Sequence, residues 1–262
     1  MDKIYPNHTR RELEAGRIAI GMGLHQSRTT DIGAIAKTCG YDWLFIDMEH
    51  SALNVETAAQ IASAALPVGI SPLVRVPGKE HHHASRLLDA GAQGIVVPHV
   101  DSVKEAENAV AYCKYPPIGH RSIYGQVPQF AFKSLPLAEA TTLANNETLV
   151  IIMLETPDAI GLADQVAAVP GVDVVMIGTN DLCAEMGIPG QYGDARVAAA
   201  YQTVIDACRR HGKHPGMGGV VDHALMDKYI KMGMRFILSG NDTGFLMAGA
   251  RARSDFLHGL KY

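Results

Sequence analysis

A closed (β/α)8 barrel is the fold this sequence predicts, and three observations predict it. The chain has 262 residues, a length over which an α/β barrel commonly forms one domain. Eight short apolar runs alternate with eight longer stretches of helical period along almost all of it. The other common arrangement of such units, an open doubly wound sheet, needs a Gly-x-Gly-x-x-Gly turn after the first strand. Gly21-Met22-Gly23 does not complete one.

Taken in order, the first strand is residues 18–22, Ile-Ala-Ile-Gly-Met, and its helix, 30–39, stops at Cys39-Gly40. The second is 43–47, Trp-Leu-Phe-Ile-Asp, with a helix over 55–65. The third, 73–76, is Leu-Val-Arg-Val, and its helix 81–90 ends at Ala90-Gly91. The fourth, 94–97, is Gly-Ile-Val-Val; Asp101-Ser102 then supplies N-cap chemistry for a helix over 103–113. The fifth is 150–154, Val-Ile-Ile-Met-Leu, followed by 159–168, and the sixth is 174–177, Val-Val-Met-Ile, followed by 195–211. The seventh, 214–217, precedes a helix over 222–232 that ends at Met232-Gly233, and the eighth, 236–238, precedes 244–260. Such brief, largely β-branched or otherwise apolar runs suit parallel strands buried on both faces. A glycine at a helix end tolerates the left-handed C-cap.

One segment stands outside this alternation. Residues 115–146 carry Pro116, Pro117, Gly119, Gly125, Pro128 and Pro136, too many breakers for one regular element. A loop this long inside a single domain spanning 1–262 is expected near the active-site face or at a subunit interface.

Composition narrows the function. With 27 acidic residues against 23 Lys and Arg, the net charge of −4 offers no electrostatic footprint for nucleic acid. No apolar run reaches the ~18 residues of a membrane span, and the N-terminus lacks the apolar core of a signal peptide. Cys39, Cys113, Cys183 and Cys208 form no CxxC pair, so neither a disulfide framework nor a cysteine zinc site is expected. The expected setting is cytoplasmic, with no membrane and no nucleic-acid partner.

In such a barrel the chemistry sits at the C-terminal strand ends. Four of them carry ionisable residues: Asp47-Met48-Glu49-His50, Arg75, Glu155 and Asp181. Glu155 and Asp181 end neighbouring strands. Two carboxylates that close repel unless one is protonated or a cation lies between them, and with water and substrate oxygens the pair suits Mg²⁺ or Mn²⁺. The alternative for Asp181 is to cap a short helix. Arg75 leaves an apolar strand, where its planar fork either pairs with a carboxylate of the protein or awaits an anionic ligand. His50 follows Asp47 and Glu49, either of which would orient its imidazole for acid–base work near neutral pH. His81-His82-His83 opens a helix, where neighbours point apart and a solvated face is expected. The glycines at 216–219 and Ser239-Gly240-Asn241 sit where barrel phosphate sites occur, or serve tight turns.

At these strand ends the sequence resembles the HpcH/HpaI aldolase family of metal-dependent class II pyruvate aldolases. The matching segments are Tyr41 to His50, Leu73-Val74-Arg75-Val76-Pro77, Tyr115-Pro116-Pro117-Ile118-Gly119-His120-Arg121, Leu154-Glu155-Thr156 and Ile177 to Leu182. The resemblance implies a TIM barrel that cleaves or forms 4-hydroxy-2-oxo acids, to or from pyruvate or a related 2-oxo acid and an aldehyde, through a metal-bound enolate. It implies that Glu155 and Asp181 hold a divalent cation, Mg²⁺ or Mn²⁺ with Co²⁺ or Zn²⁺ as further options. Arg75 would stabilise the enolate oxygen. His50, oriented by Asp47, would move protons through a bound water, and the backbone at Gly178, Thr179 and Asn180 would receive the substrate carboxylate. Members assemble as hexamers, trimers of dimers with a swapped C-terminal helix. Where the family often has Gln two residues before the metal Glu, this chain has Met153, and Gly-Pro-Ala-Asp is here Gly178-Thr179-Asn180-Asp181, departures that bear on which substrate fits. The glycine before the Glu-His pair is Met48. No strand end supplies a Schiff-base lysine; Lys79 and Lys213 lie elsewhere. Two other readings stay open: a citrate-lyase-β-like acyl-CoA lyase, and a non-catalytic barrel that binds a metal and a 2-oxo acid.

Overall fold

Eight parallel strands pair in sequence order, and the eighth returns to the first, closing the barrel in a computed structural model that describes residues 3–261. A short helix, α1 (His8–Glu14), precedes β1 (Ala19–Leu24), followed by α2 (Ile32–Thr38), β2 (Trp43–Asp47) and α3 (Val55–Ala65). Next come β3 (Ser71–Arg75), α4 (His81–Asp89), β4 (Gly94–Val97), α5 (Val103–Cys113) and α6 (Leu137–Glu147). Then follow β5 (Leu149–Leu154), α7 (Pro157–Gly161), α8 (Ala163–Ala168), β6 (Val174–Gly178) and α9 (Thr179–Glu185). The chain ends with α10 (Ala195–His211), β7 (His214–Gly218), α11 (His223–Met232), β8 (Phe236–Asn241) and α12 (Asp242–His258).

The expected strands are present, with β1 reaching two residues further to Leu24 and β8 three further to Asn241. The helix expected over 159–168 is two, α7 and α8, meeting at Leu162. Alternate strand residues face inward. Trp43, Phe45, Leu73, Val96, Ile151, Met153, Val174, Met176 and Phe236 fill the barrel, while the other set packs under the helices. Trp43 stacks on Phe236 with centroids 4.0 Å apart. A Cβ at Gly21 would lie 2.2 Å from the Trp43 ring, so that glycine is what lets a tryptophan sit inside.

The 115–146 insertion is partly ordered by α6 and lies at the end of the barrel where strands begin. Gln129 donates to the carbonyls of Leu88 and Ala92, just before β4, and Asn7 donates to the carbonyls of Gln93 and Glu147. It is therefore remote from the C-terminal strand ends; connecting a helix to a strand, it can only emerge on the opposite face. Among the described residues no helix is long and apolar enough to cross a membrane.

Candidate active site

The register of β2 and β3 sets Asp47 opposite Arg75, and the two side chains form a fork. Arg75 Nε and Nη2 donate to Asp47 Oδ1 and Oδ2 at 2.9 and 2.6 Å. Arg75 Nη1 stands 2.8 Å from Glu49 Oε2 as an ion pair without hydrogen-bond alignment, since that oxygen has no hydrogen-bond partner. The guanidinium carbon lies 5.0 Å above the Phe45 ring, a cation–π contact. The charge emerging from an apolar strand is thus paired within the protein and also lines the cavity at the barrel mouth.

Asp47 is fully buried and accepts five hydrogen bonds or charge contacts. Beyond Arg75, its Oδ1 takes the backbone N–H of Glu49 and His50, at 3.0 and 3.3 Å, and its Oδ2 lies 3.0 Å from His25 Nε2. Burial alone would push the carboxyl up, but the His25 and Arg75 hydrogen bonds and the Arg75 charge outweigh it and hold Asp47 well below the usual carboxylate range. This corrects the expectation for His50. Asp47 holds the backbone of His50 and not its ring; the imidazole that Asp47 holds is that of His25. The His50 ring, 58% exposed, has Glu49 3.8 Å away. Both histidines line the cavity.

Across the mouth, Glu155 is buried at the end of β5. Its Oε2 accepts the backbone N–H of His99 at 2.7 Å and lies 3.1 Å from His99 Nδ1, while Oε1 is buried with no partner. Burial raises its pKa; the His99 hydrogen bond and charge oppose this, and the charges of Asp181 and Glu49 add to it. Gly178 makes room for that orphan oxygen, since a Cβ there would sit 2.3 Å from Glu155 Oε1. Asp181 occupies the third residue of α9, whose N-cap is Gly178, so it does not cap that helix. Glu155 and Asp181 line one cavity of about 220 Å³ together with Arg75, Met153, Met176 and Gly178–Asp181.

The residues expected to bind substrate divide. The Thr179 hydroxyl pairs with the Tyr201 hydroxyl at 2.8 Å in the buried shell, leaving its backbone to the site. Asn180 lines the cavity while its Oδ1 accepts from Tyr192. Two histidines were missed. His99 bridges Glu155 and Glu49, its Nε2 3.0 Å from Glu49 Oε1. The sequence signal was a fifth strand end, obscured because Pro98 separates His99 from β4. His25 directly follows β1. The triple histidine opens α4 with His81 and His82 exposed, as a solvated face requires, while His83 is half-buried with its Nδ1 unpartnered.

A divalent cation fits this donor set. An ionised, partnerless buried oxygen on Glu155 beside a second carboxylate is a cost that a cation removes. Among the described residues no three His, Cys, Asp or Glu side chains form a ready cage. Two carboxylates with further oxygens from water and ligand are the pattern that Mg²⁺ favours.

The model of the HpcH/HpaI aldolase/citrate lyase family matches residues 24–248. A 4-hydroxy-4-methyl-2-oxoglutarate aldolase of Hapsidospora irregularis is 37% identical over 250 residues, covering 94% of this chain and 93% of the relative. A 4-hydroxy-2-oxo-heptane-1,7-dioate aldolase of Salmonella typhimurium is 37% identical, covering 92% and 90% of the two chains. The crystal structure of an HpcH/HpaI aldolase from Desulfitobacterium hafniense superposes with a TM-score of 0.91 at 31% identity, covering 96% of this chain and 97% of that one.

Proposed function

The chain belongs to the HpcH/HpaI aldolase/citrate lyase family, and from that premise we propose that this carbon–carbon lyase is a divalent-metal-dependent class II aldolase. Its substrates on this reading are 4-hydroxy-2-oxo acids, exchanged with pyruvate or a related 2-oxo acid and an aldehyde. The observation that carries it is the orphaned Glu155 Oε1, beside Asp181 in a cavity that Arg75 also lines.

Cleavage leaves an electron pair on a carbon beside a ketone, and the site must stabilise the oxygen onto which that charge spreads. A divalent cation held by Glu155 and Asp181, Mg²⁺ or Mn²⁺ ahead of Co²⁺ or Zn²⁺, would supply Lewis-acid polarisation there. Arg75 adds a fixed positive charge, held rigid by Asp47, Glu49 and Phe45. The backbone from Gly178 to Asn180 lines the same cavity and would receive the substrate carboxylate. Met153 and Met176 form an apolar part of the wall, which suits an alkyl portion of the 2-oxo acid and offers no amide to bind it. His50, at the exposed rim, would pass protons between water and the carbon. An acyl-CoA substrate has less support: Lys79 is paired with Glu105, and Arg121 is buried against Asp89.

We further propose a hexamer built as a trimer of dimers. Of the seventeen residues of α12 only Asp242 is buried, and Phe245, Leu246, Met247, Phe256 and Leu257 are exposed. An apolar helix so bare suits exchange onto a neighbouring barrel; the 115–146 segment is the second candidate for subunit contact. Light scattering should give a mass of six chains, and a monomer would reject this part.

The direct test strips the protein with EDTA and offers 4-hydroxy-2-oxo-heptane-1,7-dioate and 4-hydroxy-4-methyl-2-oxoglutarate with each metal. Metal-dependent release of a 2-oxo acid is expected. Release that is undiminished in EDTA would overturn the metal-dependent reading.

A further inference from the structure

We propose that His25 is the catalytic base that takes the 4-hydroxyl proton of the substrate during cleavage, leaving His50 to exchange protons at the carbon. The inference rests on the aldolase reading above and adds a residue to it.

The pairing of β1 with β2 sets Leu24 opposite Ile46, so the next residues along, His25 and Asp47, meet at the barrel mouth. His25 Nε2 lies 3.0 Å from Asp47 Oδ2, the oxygen that also receives Arg75 Nη2. The loop carrying the ring is fixed as well. The backbone N–H groups of His25, Gln26 and Ser27 all donate to the Asp242 carboxylate, at 3.0, 3.0 and 2.7 Å. The ring is 31% exposed and lines the cavity with Arg75 and Glu155.

These contacts fix the chemistry of the ring. Asp47 accepts from the Arg75 fork and from the backbone N–H of Glu49 and His50, so the carboxylate oxygen 3.0 Å from Nε2 favours hydrogen on that nitrogen. The tautomer with hydrogen on Nε2 keeps its lone pair on Nδ1, the nitrogen that Asp47 leaves free. A buried carboxylate that orients an imidazole is the arrangement used to ready histidine as a base. His50 lacks that support, its ring being 3.8 Å from Glu49 and mostly in solvent.

The reaction needs two proton transfers at different atoms, one at the C4 oxygen and one at C3. As the C3–C4 bond breaks, Nδ1 of His25 takes the hydroxyl proton and C4–O becomes the aldehyde carbonyl. The bonding pair stays on C3 and spreads onto the oxygen of the adjoining C2 carbonyl, and a proton delivered to C3 completes the 2-oxo acid. Protons lost and gained balance, with no further reactant.

The test separates the two transfers. Exchange of pyruvate methyl protons with D2O involves C3 alone, whereas cleavage also needs the hydroxyl proton removed. His25→Ala and His25→Gln should each lower kcat for cleavage by about 10²–10⁴, with KM, Mn²⁺ affinity and methyl exchange within ~3-fold of wild type. The glutamine variant keeps a donor for Asp47 but no basic nitrogen, so a cleavage rate near wild type in it would overturn the proposal. Equal loss of exchange and cleavage would overturn it too, because His25 would then serve the carbon or the whole site. A wild type that neither exchanges nor cleaves with any metal would instead overturn the aldolase reading itself.

Discussion

Replacing Gly178 by alanine tests how tightly the protein holds Glu155. Gly178 has φ −84° and ψ 90°, which an L-residue adopts without penalty, so any effect is steric. The added Cβ would stand 2.3 Å from Glu155 Oε1, 2.7 Å from Cγ and 2.9 Å from Cδ, against 3.4 Å for ordinary contact. The carboxylate must therefore retreat by 3.4 − 2.3, or 1.1 Å. Retreat pulls Oε2 from the His99 N–H at 2.7 Å and the ring at 3.1 Å. A misplacement of ~1 Å in a reacting assembly costs about 10²-fold, and overpacking destabilises by about 1–3 kcal/mol. Gly178→Ala should lower kcat/KM about 10²-fold, weaken Mn²⁺ binding in a calorimetric titration, and lower the Tm by several degrees. A variant that binds Mn²⁺ within ~2-fold of wild type and cleaves at its rate would refute the cradle argument.

Other substitutions read the remaining parts. Arg75→Lys keeps the charge but loses the fork on Asp47, and should cost about 10²–10³ in kcat/KM with an unchanged circular dichroism spectrum; full turnover would make Arg75 purely structural. Asp181→Asn should lose Mn²⁺ affinity and cleavage together, and full activity would reject it as a ligand. Glu155 has a raised pKa, so what its protonated form contributes to stability is present below its ordinary value of 4.5 and is lost as pH rises through the folded value. At pH 7 the metal-free Glu155→Gln variant should therefore melt higher than wild type, the gap closing in acid, and Mn²⁺ should raise only the wild-type Tm. The reverse sign holds for Asp242, whose carboxyl is pushed down to about 2 from 3.8 against the effect of burial by three backbone N–H groups. Its contribution is present above 3.8 and is lost as pH falls through about 2. Asp242→Asn should flatten that limb of an acid-unfolding curve; an unaltered limb would mean the loop is held by other contacts.

What was legible in the sequence follows from where the signal resides. Asp47, Arg75, Glu155 and Asp181 each stand at or near the end of an apolar run, and a barrel gathers such ends by topology alone. His25 is hidden because Gly21 and Gly23 dilute the first apolar run, whose pattern fades at Met22 while β1 continues to Leu24. His99 escaped because Pro98 breaks the run and His99 then turns at φ 50°. Sequence shows only proximity along the chain, which pairs Asp47 with the nearby His50. The observed partner comes from the β1–β2 register, which only the closed sheet fixes. Helix α6 was hidden because the prolines of 115–146 cluster before it, Pro136 being its N-cap. The cap reading of Asp181 failed by three residues, since α9 begins at Thr179 directly after β6.

The most direct measurement is exchange of pyruvate methyl protons in D2O, followed by NMR on EDTA-stripped protein with and without Mg²⁺, Mn²⁺ or Co²⁺. It needs no knowledge of the aldehyde and reports enolate formation at the Glu155–Asp181–Arg75 site alone. The account predicts exchange that starts on adding metal and is abolished in Asp181→Asn. Exchange that persists in EDTA, or that survives in Asp181→Asn, would contradict it.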